Sequence, residues 1–183
     1  MKLYLEPSID DVGLDSGIGQ VVAAQYRHLP DYGIEFVHNP ADADLVVGHV
    51  YSDLDHIDVL HCHGLYWTAE AGRWSRYHHW SNQRIMESVR KARKVTVPSD
   101  WVAEPFRRDM RIEPAVIGHG INVDEWNRGK NDGYILWNKN RVSPACDPAA
   151  AIALYSRGLP VVSTFGPENM DPLGHIPFSE MKR

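Results

Sequence analysis

Short apolar runs alternate with segments of helical periodicity along most of the chain. The runs are rich in β-branched and aliphatic residues and have the length typical of buried strands. The predicted strands of this first part are 2–6, 33–39, 43–50, 57–63, 94–99 and 114–121. Apolar residues recur at helical spacing in 17–29 and in 74–94, and Ser16 is placed to cap the first of these helices. Strands that alternate with helices indicate a parallel sheet whose two faces are covered.

The alternation begins again after a polar, turn-rich segment at 122–133. There the pattern predicts a strand, a helix and a strand, at 134–140, 147–158 and 159–166. We therefore predict a first, Rossmann-like domain at 1–121, a linker at 122–133 and a partial second α/β domain at 134–183. Two strands and one helix are too few to bury both faces of a sheet. Their open edges predict that the segment packs against the first domain, self-associates with a second copy, or is poorly ordered.

The predicted helix at 74–94 is the longest in the chain. Its apolar stripe consists of Trp74, Tyr77, Trp80, Ile85, Val89 and Ala92. Its last turns carry four basic residues, Arg90, Lys91, Arg93 and Lys94. Cations at that end of a helix interact favourably with the helix dipole, so these charges have a structural reason to be there.

The composition is typical of a soluble globular protein, with 43% apolar and 23% charged residues. No window approaches the roughly 18 apolar residues of a membrane-spanning helix. The first residues, MKLYLEPSIDD, contain no apolar core of signal-peptide length. The two cysteines, Cys62 and Cys146, lie far apart and form no disulfide framework, which is typical of a reducing compartment. The sequence therefore predicts a cytoplasmic protein.

The net charge of −5 is distributed unevenly. Residues 1–58 hold two basic and eleven acidic residues, whereas residues 73–111 hold ten basic and four acidic ones. The basic region 73–111 is compatible with peripheral contact with an anionic membrane surface. The solvated face of a helix is the favoured explanation, because charge runs usually have that origin. The acidic balance and the lack of a basic–aromatic motif argue against nucleic acid as a partner.

Glycines follow the first predicted strand, at Gly13, Gly17 and Gly19. Backbone amides at a helix N-terminus can bind a phosphate group, so Gly17 and Gly19 are candidate phosphate-binding residues. The dinucleotide fingerprint G-x-G-x-x-G is incomplete, because Val22 occupies the position of its third glycine. NAD is therefore disfavoured, and no cofactor is predicted. The alternative role for these glycines is close packing between helix and strand.

The stretch DVLHCHG places His61, Cys62 and His63 where a strand ends and Gly64 follows. Strand alternation puts the two histidines on one face and Cys62 on the other, so the three cannot bind one ion together. No second group has zinc-site spacing, and we therefore predict no metal ligand. His63 and Gly64 lie at the carboxyl end of the strand, where open α/β sheets bind ligands. His63 is either a functional imidazole or a hydrogen-bonded structural one; His61 and Cys62 are interpreted as packing residues.

Two further basic residues, Lys139 and Arg141, end the first predicted strand of the second unit. Strand alternation puts them on a common side, and both suit anionic oxygens. The alternative is a solvated loop, in which exposed basic residues are common.

Several segments, taken together and in order, resemble family 4 glycosyltransferases of the GT-B fold. They are DSGIGQVVAAQYRHL, HCHG, VTVPSDWVAEPFRRDMRIEPAVIGHGINVDEW, YILWNKNRVSP and LYSRGLPVVSTFG. The resemblance spans nearly the whole chain and depends on the order of these segments rather than on any single motif. It implies two Rossmann-like domains of the GT-B type, the second of them incomplete in this chain.

The resemblance also implies an activity, the transfer of a sugar from a nucleotide-sugar donor to an acceptor hydroxyl with retention at the anomeric carbon and no obligatory metal. Matched by position, His63 would approach the reacting sugar and Gly64 would belong to the acceptor-side loop. The donor phosphates would lie near Gly17, Gly19, Lys139 and Arg141.

Two departures from the family concern the donor side. The family has a lysine shortly after the residue that matches Arg141, whereas here only the preceding Lys139 is basic. The family's E-x7-E pattern is absent from these residues, and its complete enzymes are about twice as long. We therefore expect a fragment or truncated form with little activity by itself. The alternative is a non-catalytic α/β module that binds a nucleotide-sugar, a phosphorylated ligand or a protein partner.

Overall fold

The structure, a computed structural model, describes residues 1–13, 16–65, 76–125, 133–138, 146–164 and 171–172. The chain divides into two compact units, Met1–Gly120 and Ile121–Arg183. The candidate site lies in the first of them.

The first unit is built on a parallel sheet, as the alternating pattern predicts. Its strands are β1 (Lys2–Glu6), β2 (Glu35–Phe36), β3 (Leu45–His49), β4 (Ile57–His61), β5 (Ala92–Val97) and β6 (Ala115–Val116). They lie in the order β2-β1-β3-β4-β5-β6, and every neighbouring pair is parallel. The prediction of a Rossmann-like α/β fold is confirmed at this level. The strand order reverses between β1 and β3, and in such sheets the crevice at that reversal is the usual place for a ligand.

Helices α1 (Gly17–His28), α2 (Arg76–Lys91) and α3 (Asp100–Pro105) connect these strands. The predicted cap of α1 is confirmed, because Ser16 Oγ accepts a hydrogen bond from the Gly19 amide at 2.9 Å. Ser99 caps α3 in the same way, at 3.3 Å from the Val102 amide. The chain continues past Pro105 as one wider turn, Phe106–Met110, in π-helical geometry.

We expect Ser99→Ala to lower the free energy of unfolding by about 1 kcal/mol, because the Val102 amide loses its acceptor at the start of α3. Urea denaturation measures the change. Ser99→Asp is the matched control, since aspartate caps helices as well as serine does. An equal loss in both variants would contradict the role of the cap.

The largest apolar cluster lies between the sheet and helices α2 and α3. Its buried members are Ile57, Leu60, Cys62, Ile85, Val89, Val95, Val97, Val102, Ala103 and Phe106. Some of these residues lie in or next to the short apolar strands and others lie in or next to helices α2 and α3. The hydrophobic pattern of the sequence therefore identifies most of this core. Phe106 is the largest fully buried side chain in the part of the chain that the structure describes.

The buried face of α2 differs from the predicted apolar stripe. Tyr77 and Trp80 are 59% and 46% exposed, whereas the buried residues are Ser81, Asn82, Ile85, Ser88 and Val89. Ser88 Oγ accepts a hydrogen bond from the Ser52 amide at 2.9 Å. This bond to the segment after β3 satisfies polar groups that the helix buries and explains why a polar face turns inward. Trp74 lies outside the described residues.

The basic cluster is also divided differently from the prediction. Helix α2 ends at Lys91, so only Arg90 and Lys91 lie in its last turn. Arg93 and Lys94 belong to β5, where both are exposed. Among the described residues, no helix has the length and hydropathy that a membrane span requires.

The second unit contains β7 (Ile135–Trp137), α4 (Ala149–Tyr155), β8 (Val161–Ser163) and β9 (Asp171–Pro172). The three strands are parallel in the order β7-β8-β9. Ala151 and Val161 form its small buried core, against which Trp137, Leu154 and Tyr155 pack. The sequence predicts β7, α4 and β8 but not β9, whose two residues, aspartate and proline, have low strand propensity.

Candidate functional site

Four histidines meet at the carboxyl edge of the first sheet. His49 ends β3, His61 ends β4, His63 follows two residues later, and His119 comes shortly after β6. The carboxyl ends of parallel strands share one edge, and this brings the four imidazoles together. Neighbouring ring centroids are 4.9–5.4 Å apart. We call these four residues the histidine cluster.

One side of the histidine cluster is tied to α1 through a chain of hydrogen bonds. Gln25 Oε1 lies 2.8 Å from His49 Nε2, and His49 Nδ1 lies 3.0 Å from His63 Nε2. An amide oxygen only accepts, so the hydrogen of His49 is on Nε2 and its Nδ1 is an acceptor. His63 therefore donates through Nε2. Its Nδ1 then carries a lone pair.

The other side of the cluster is tied to β5. His61 Nδ1 lies 2.6 Å from Thr96 Oγ1, and His61 Nε2 lies 2.9 Å from His119 Nε2. Two bare lone pairs would repel each other at that separation, so one of the two Nε2 atoms carries the hydrogen that joins them. His61 is therefore a hydrogen-bonded member of the site, and the interpretation of His61 as a packing residue is incomplete.

Burial keeps most of the cluster uncharged. His49 and His61 are 2% and 8% exposed, His63 is partly buried and His119 is exposed. Desolvation, with a smaller contribution from His63, His61 and His119, lowers the pKa of His49 to about 3. Desolvation, reinforced by neighbouring imidazoles, lowers the pKa of His61 and of His63 to about 4. At neutral pH all three are neutral imidazoles, which can donate and accept hydrogen bonds at once.

The backbone next to His49 is strained. Val50 has φ of 68°, a left-handed conformation that a β-branched residue rarely adopts. Its amide still donates to the His61 carbonyl at 2.9 Å, so the sheet bonding continues through the strained residue. Strain of this kind persists where the surrounding structure fixes it, and it concentrates at functional sites. Gly64, with φ of 151°, occupies a conformation that favours glycine directly after His63.

The predicted phosphate-binding glycines lie at the start of α1. Gly17 is its first residue and has open space where a Cβ would be. A Cβ on Gly19 would collide with the Gly13 carbonyl, so Gly19 is needed for close packing of the loop against its own helix. The role of both residues at a phosphate stays a prediction. Lys139 and Arg141 lie outside the described residues.

Cys62 points away from the cluster, as strand alternation predicts. It is fully buried in the apolar core, and desolvation raises the pKa of its thiol to about 12. Sequence reasoning missed His49 and His119 as site residues. The sequence gives one partial signal, since each lies in a predicted strand, 43–50 or 114–121, near its carboxyl end, but it does not show that these ends meet.

No family model matches the chain, and no curated protein is significantly similar to it. The fold and the geometry together define an α/β protein with a Rossmann-like parallel sheet and a histidine cluster at the carboxyl edge of that sheet.

Proposed function

We propose that the unit Met1–Gly120 is the acceptor-side domain of a retaining glycosyltransferase that uses a nucleotide-sugar donor. The observation that carries the proposal is the position of His63 at the carboxyl edge of the sheet, bonded to the residue that ends β3. Ligands of open α/β sheets bind at this edge, beside the reversal of strand order. The Gln25 bond supports the same assignment, because it joins the helix that begins at Gly17 to His49, and through His49 to His63.

Uncharged imidazoles suit a ligand that is rich in hydroxyl groups. The lone pair on His63 Nδ1 can accept a hydrogen bond from a hydroxyl of the transferred sugar, while His49 and Gln25 hold the ring in place. Because its pKa is lowered to about 4, His63 has little protonated form at neutral pH. Its role in this proposal is therefore to orient the sugar rather than to donate a proton.

The GT-B architecture belongs to the same proposal. In it, Ile121–Arg183 is part of the donor-side domain, and its β7-α4-β8 order is that of a parallel βαβ unit. Lys139 and Arg141 follow β7 in the sequence, and in this proposal their positive charges neutralise the leaving diphosphate. The nucleotide-sugar is a substrate, and the proposal requires no cofactor.

The test follows the imidazole resonances by NMR while UDP- and GDP-sugars are added to isotope-labelled protein. We expect the matching nucleotide-sugar to shift the signals of His63 and His49, and the free nucleotide to shift them much less. His63→Ala should weaken that binding roughly three- to tenfold, the loss of about one hydrogen bond. His28→Ala, which removes an exposed imidazole at the end of α1, is the control and should leave the affinity unchanged.

Two outcomes would count against this proposal. If no nucleotide-sugar shifts the signals of the histidine cluster at millimolar concentration, the assignment of the sugar site is wrong.

The second outcome concerns donor affinity. The absence of the E-x7-E pattern predicts that these 183 residues bind the donor weakly. Micromolar affinity in calorimetry, together with sugar transfer, would contradict the assignment of Ile121–Arg183 as only part of a donor domain.

A further inference from the structure

We propose that His61, His63 and His119 form a binding site for one divalent transition-metal ion of the zinc type. One ring nitrogen from each residue lies within 4.8 Å of the other two. This inference rests on the geometry of the histidine cluster and not on the proposed sugar transfer.

One pair of these nitrogens is spaced almost as in a zinc site, whereas separations within the set of three reach up to 4.8 Å and have to contract when an ion binds. Imidazole nitrogens bind Zn²⁺ at about 2.0–2.1 Å, which places two ligands of a tetrahedral ion about 3.3 Å apart. His61 Nε2 and His119 Nε2 are 2.9 Å apart, so they need to separate by only a few tenths of an ångström. His119 is exposed and lies beyond the end of β6, where the chain can make that adjustment.

The hydrogen bonds also leave one ring nitrogen of each residue able to offer a lone pair to an ion. His63 donates through Nε2 to His49, so its Nδ1 is available to a metal. His61 can donate through Nδ1 to Thr96 Oγ1, which directs the lone pair of its Nε2 towards His119. Metal-binding histidines usually donate their second nitrogen to such a partner, which fixes the ring and its tautomer. Thr96 and His49 are these partners here.

Binding replaces the hydrogen that joins His61 and His119. In the metal-free site one of the two Nε2 atoms carries it, and in the metal-bound site both Nε2 atoms hold lone pairs on the ion. That hydrogen moves to Nδ1 of the same ring by exchange with solvent. All three ligands remain neutral imidazoles, so no net proton release is required.

The ligand set specifies the kind of ion. Imidazole suits Zn²⁺, Cu²⁺ and Ni²⁺, whereas Mg²⁺ and Ca²⁺ prefer oxygen ligands. Three protein ligands leave the fourth position of a tetrahedral ion open to water or another small ligand. His49 is not part of the set, because its two nitrogens are engaged with Gln25 and His63. Since the proposed sugar contact uses the same His63 nitrogen, Zn²⁺ and a sugar should compete for this site.

The experiment titrates Zn²⁺ into tag-free, chelator-treated protein in the presence of a competing chromophoric chelator. We expect one ion per chain and a higher thermal midpoint with Zn²⁺, because the ion binds the folded chain preferentially. Co²⁺ should give the visible absorption bands of a tetrahedral site. Mg²⁺ should produce none of these effects.

Variants locate the site. Loss of a residue that hydrogen-bonds a metal-binding histidine lowers metal affinity about 10–100-fold. We expect this effect for Thr96→Val, because Thr96 bonds to His61. Loss of a ligand should cost more, and His119→Ala tests this without emptying the core, because His119 is exposed. His28→Ala is again the matched control and should bind as the unmodified protein does.

Zinc affinity that is unchanged in both His119→Ala and His63→Ala would overturn the proposal. So would a stoichiometric ion whose affinity falls in His28→Ala instead. Because the readouts are metal affinity and cobalt absorption, they do not depend on sugar transfer. Failure of this site would leave the proposed function standing, and failure of the sugar experiment would leave the metal site standing.

Discussion

The substitution Phe106→Ala is expected to lower the free energy of unfolding by about 3–5 kcal/mol relative to the unmodified chain. Phe106 has no exposed surface and lies in the apolar cluster between the sheet and helices α2 and α3. The backbone around it is fixed, since the Phe106 carbonyl accepts a hydrogen bond from the Ile112 amide at 3.1 Å. The site therefore cannot collapse easily around a truncated side chain, and a cavity remains.

Urea denaturation followed by far-ultraviolet circular dichroism measures this change, with an unchanged dependence on denaturant. Trp101→Ala is the matched control, because that aromatic ring lies on the neighbouring helix α3 and is 83% exposed. Its removal should alter the free energy of unfolding by less than about 0.5 kcal/mol. Equal effects in the two variants, or a loss below about 1 kcal/mol for Phe106→Ala, would contradict the position of Phe106 at the centre of the core.

The hydrophobic pattern was sufficient to predict the parallel sheet because its central strands are short and rich in aliphatic and β-branched residues. Each of β1, β3, β4 and β5 lies in or close to a predicted run. The pattern was insufficient for α2, which buries Ser81, Asn82 and Ser88, because the burial of Ser88 depends on a partner outside the helix. Ser88 bonds to Ser52, which is 36 residues away, and periodicity within one helix carries no information on such a contact.

The histidine cluster was predicted only in part, for a related reason. Strand alternation correctly placed Cys62 in the core and put His61 and His63 on the other face. It could not bring in His119, because β5 lies between β4 and β6 in the sheet. The path of the chain after β6, which the side-chain pattern does not determine, carries His119 back to His61. His49 required the pairing of β3 with β4, which follows from strand order rather than from local sequence.

Acidification from pH 7 to pH 5 is expected to destabilise the metal-free first unit, with a large contribution from His49. Its pKa is about 3 in the folded chain and near the ordinary value of 6.5 when unfolded. When the pKa of a histidine is lower in the folded chain than in the unfolded chain, its contribution to stability is fully present at pH values above the unfolded pKa. That contribution is lost progressively as the pH falls from the unfolded pKa towards the folded pKa. By linkage, His49 accounts for a loss of about 2 kcal/mol at pH 5.

His61 and His63 act in the same direction, since the pKa of each is lowered to about 4. Within the described part of the chain, the side chains that bond to His49 or shift its pKa are Gln25, His61, His63 and His119, and none of these four carries a negative charge that could hold an imidazolium. Asp58 does not counteract the effect, because its pKa is lowered from 3.8 and it stays ionised in this range. The free energy of unfolding should therefore fall continuously between pH 6.5 and pH 4.

Urea denaturation at several pH values, with a chelator present to keep the site free of metal, measures this slope. His49→Gln removes the titrating group and keeps a side chain that can hydrogen-bond Gln25, so the dependence on pH should become shallower. His28→Gln changes an exposed imidazole and should keep the slope of the unmodified chain. A free energy of unfolding that is constant from pH 7 to pH 5 would show that the cluster is hydrated rather than buried. An unchanged slope in His49→Gln would exclude His49 as the group responsible.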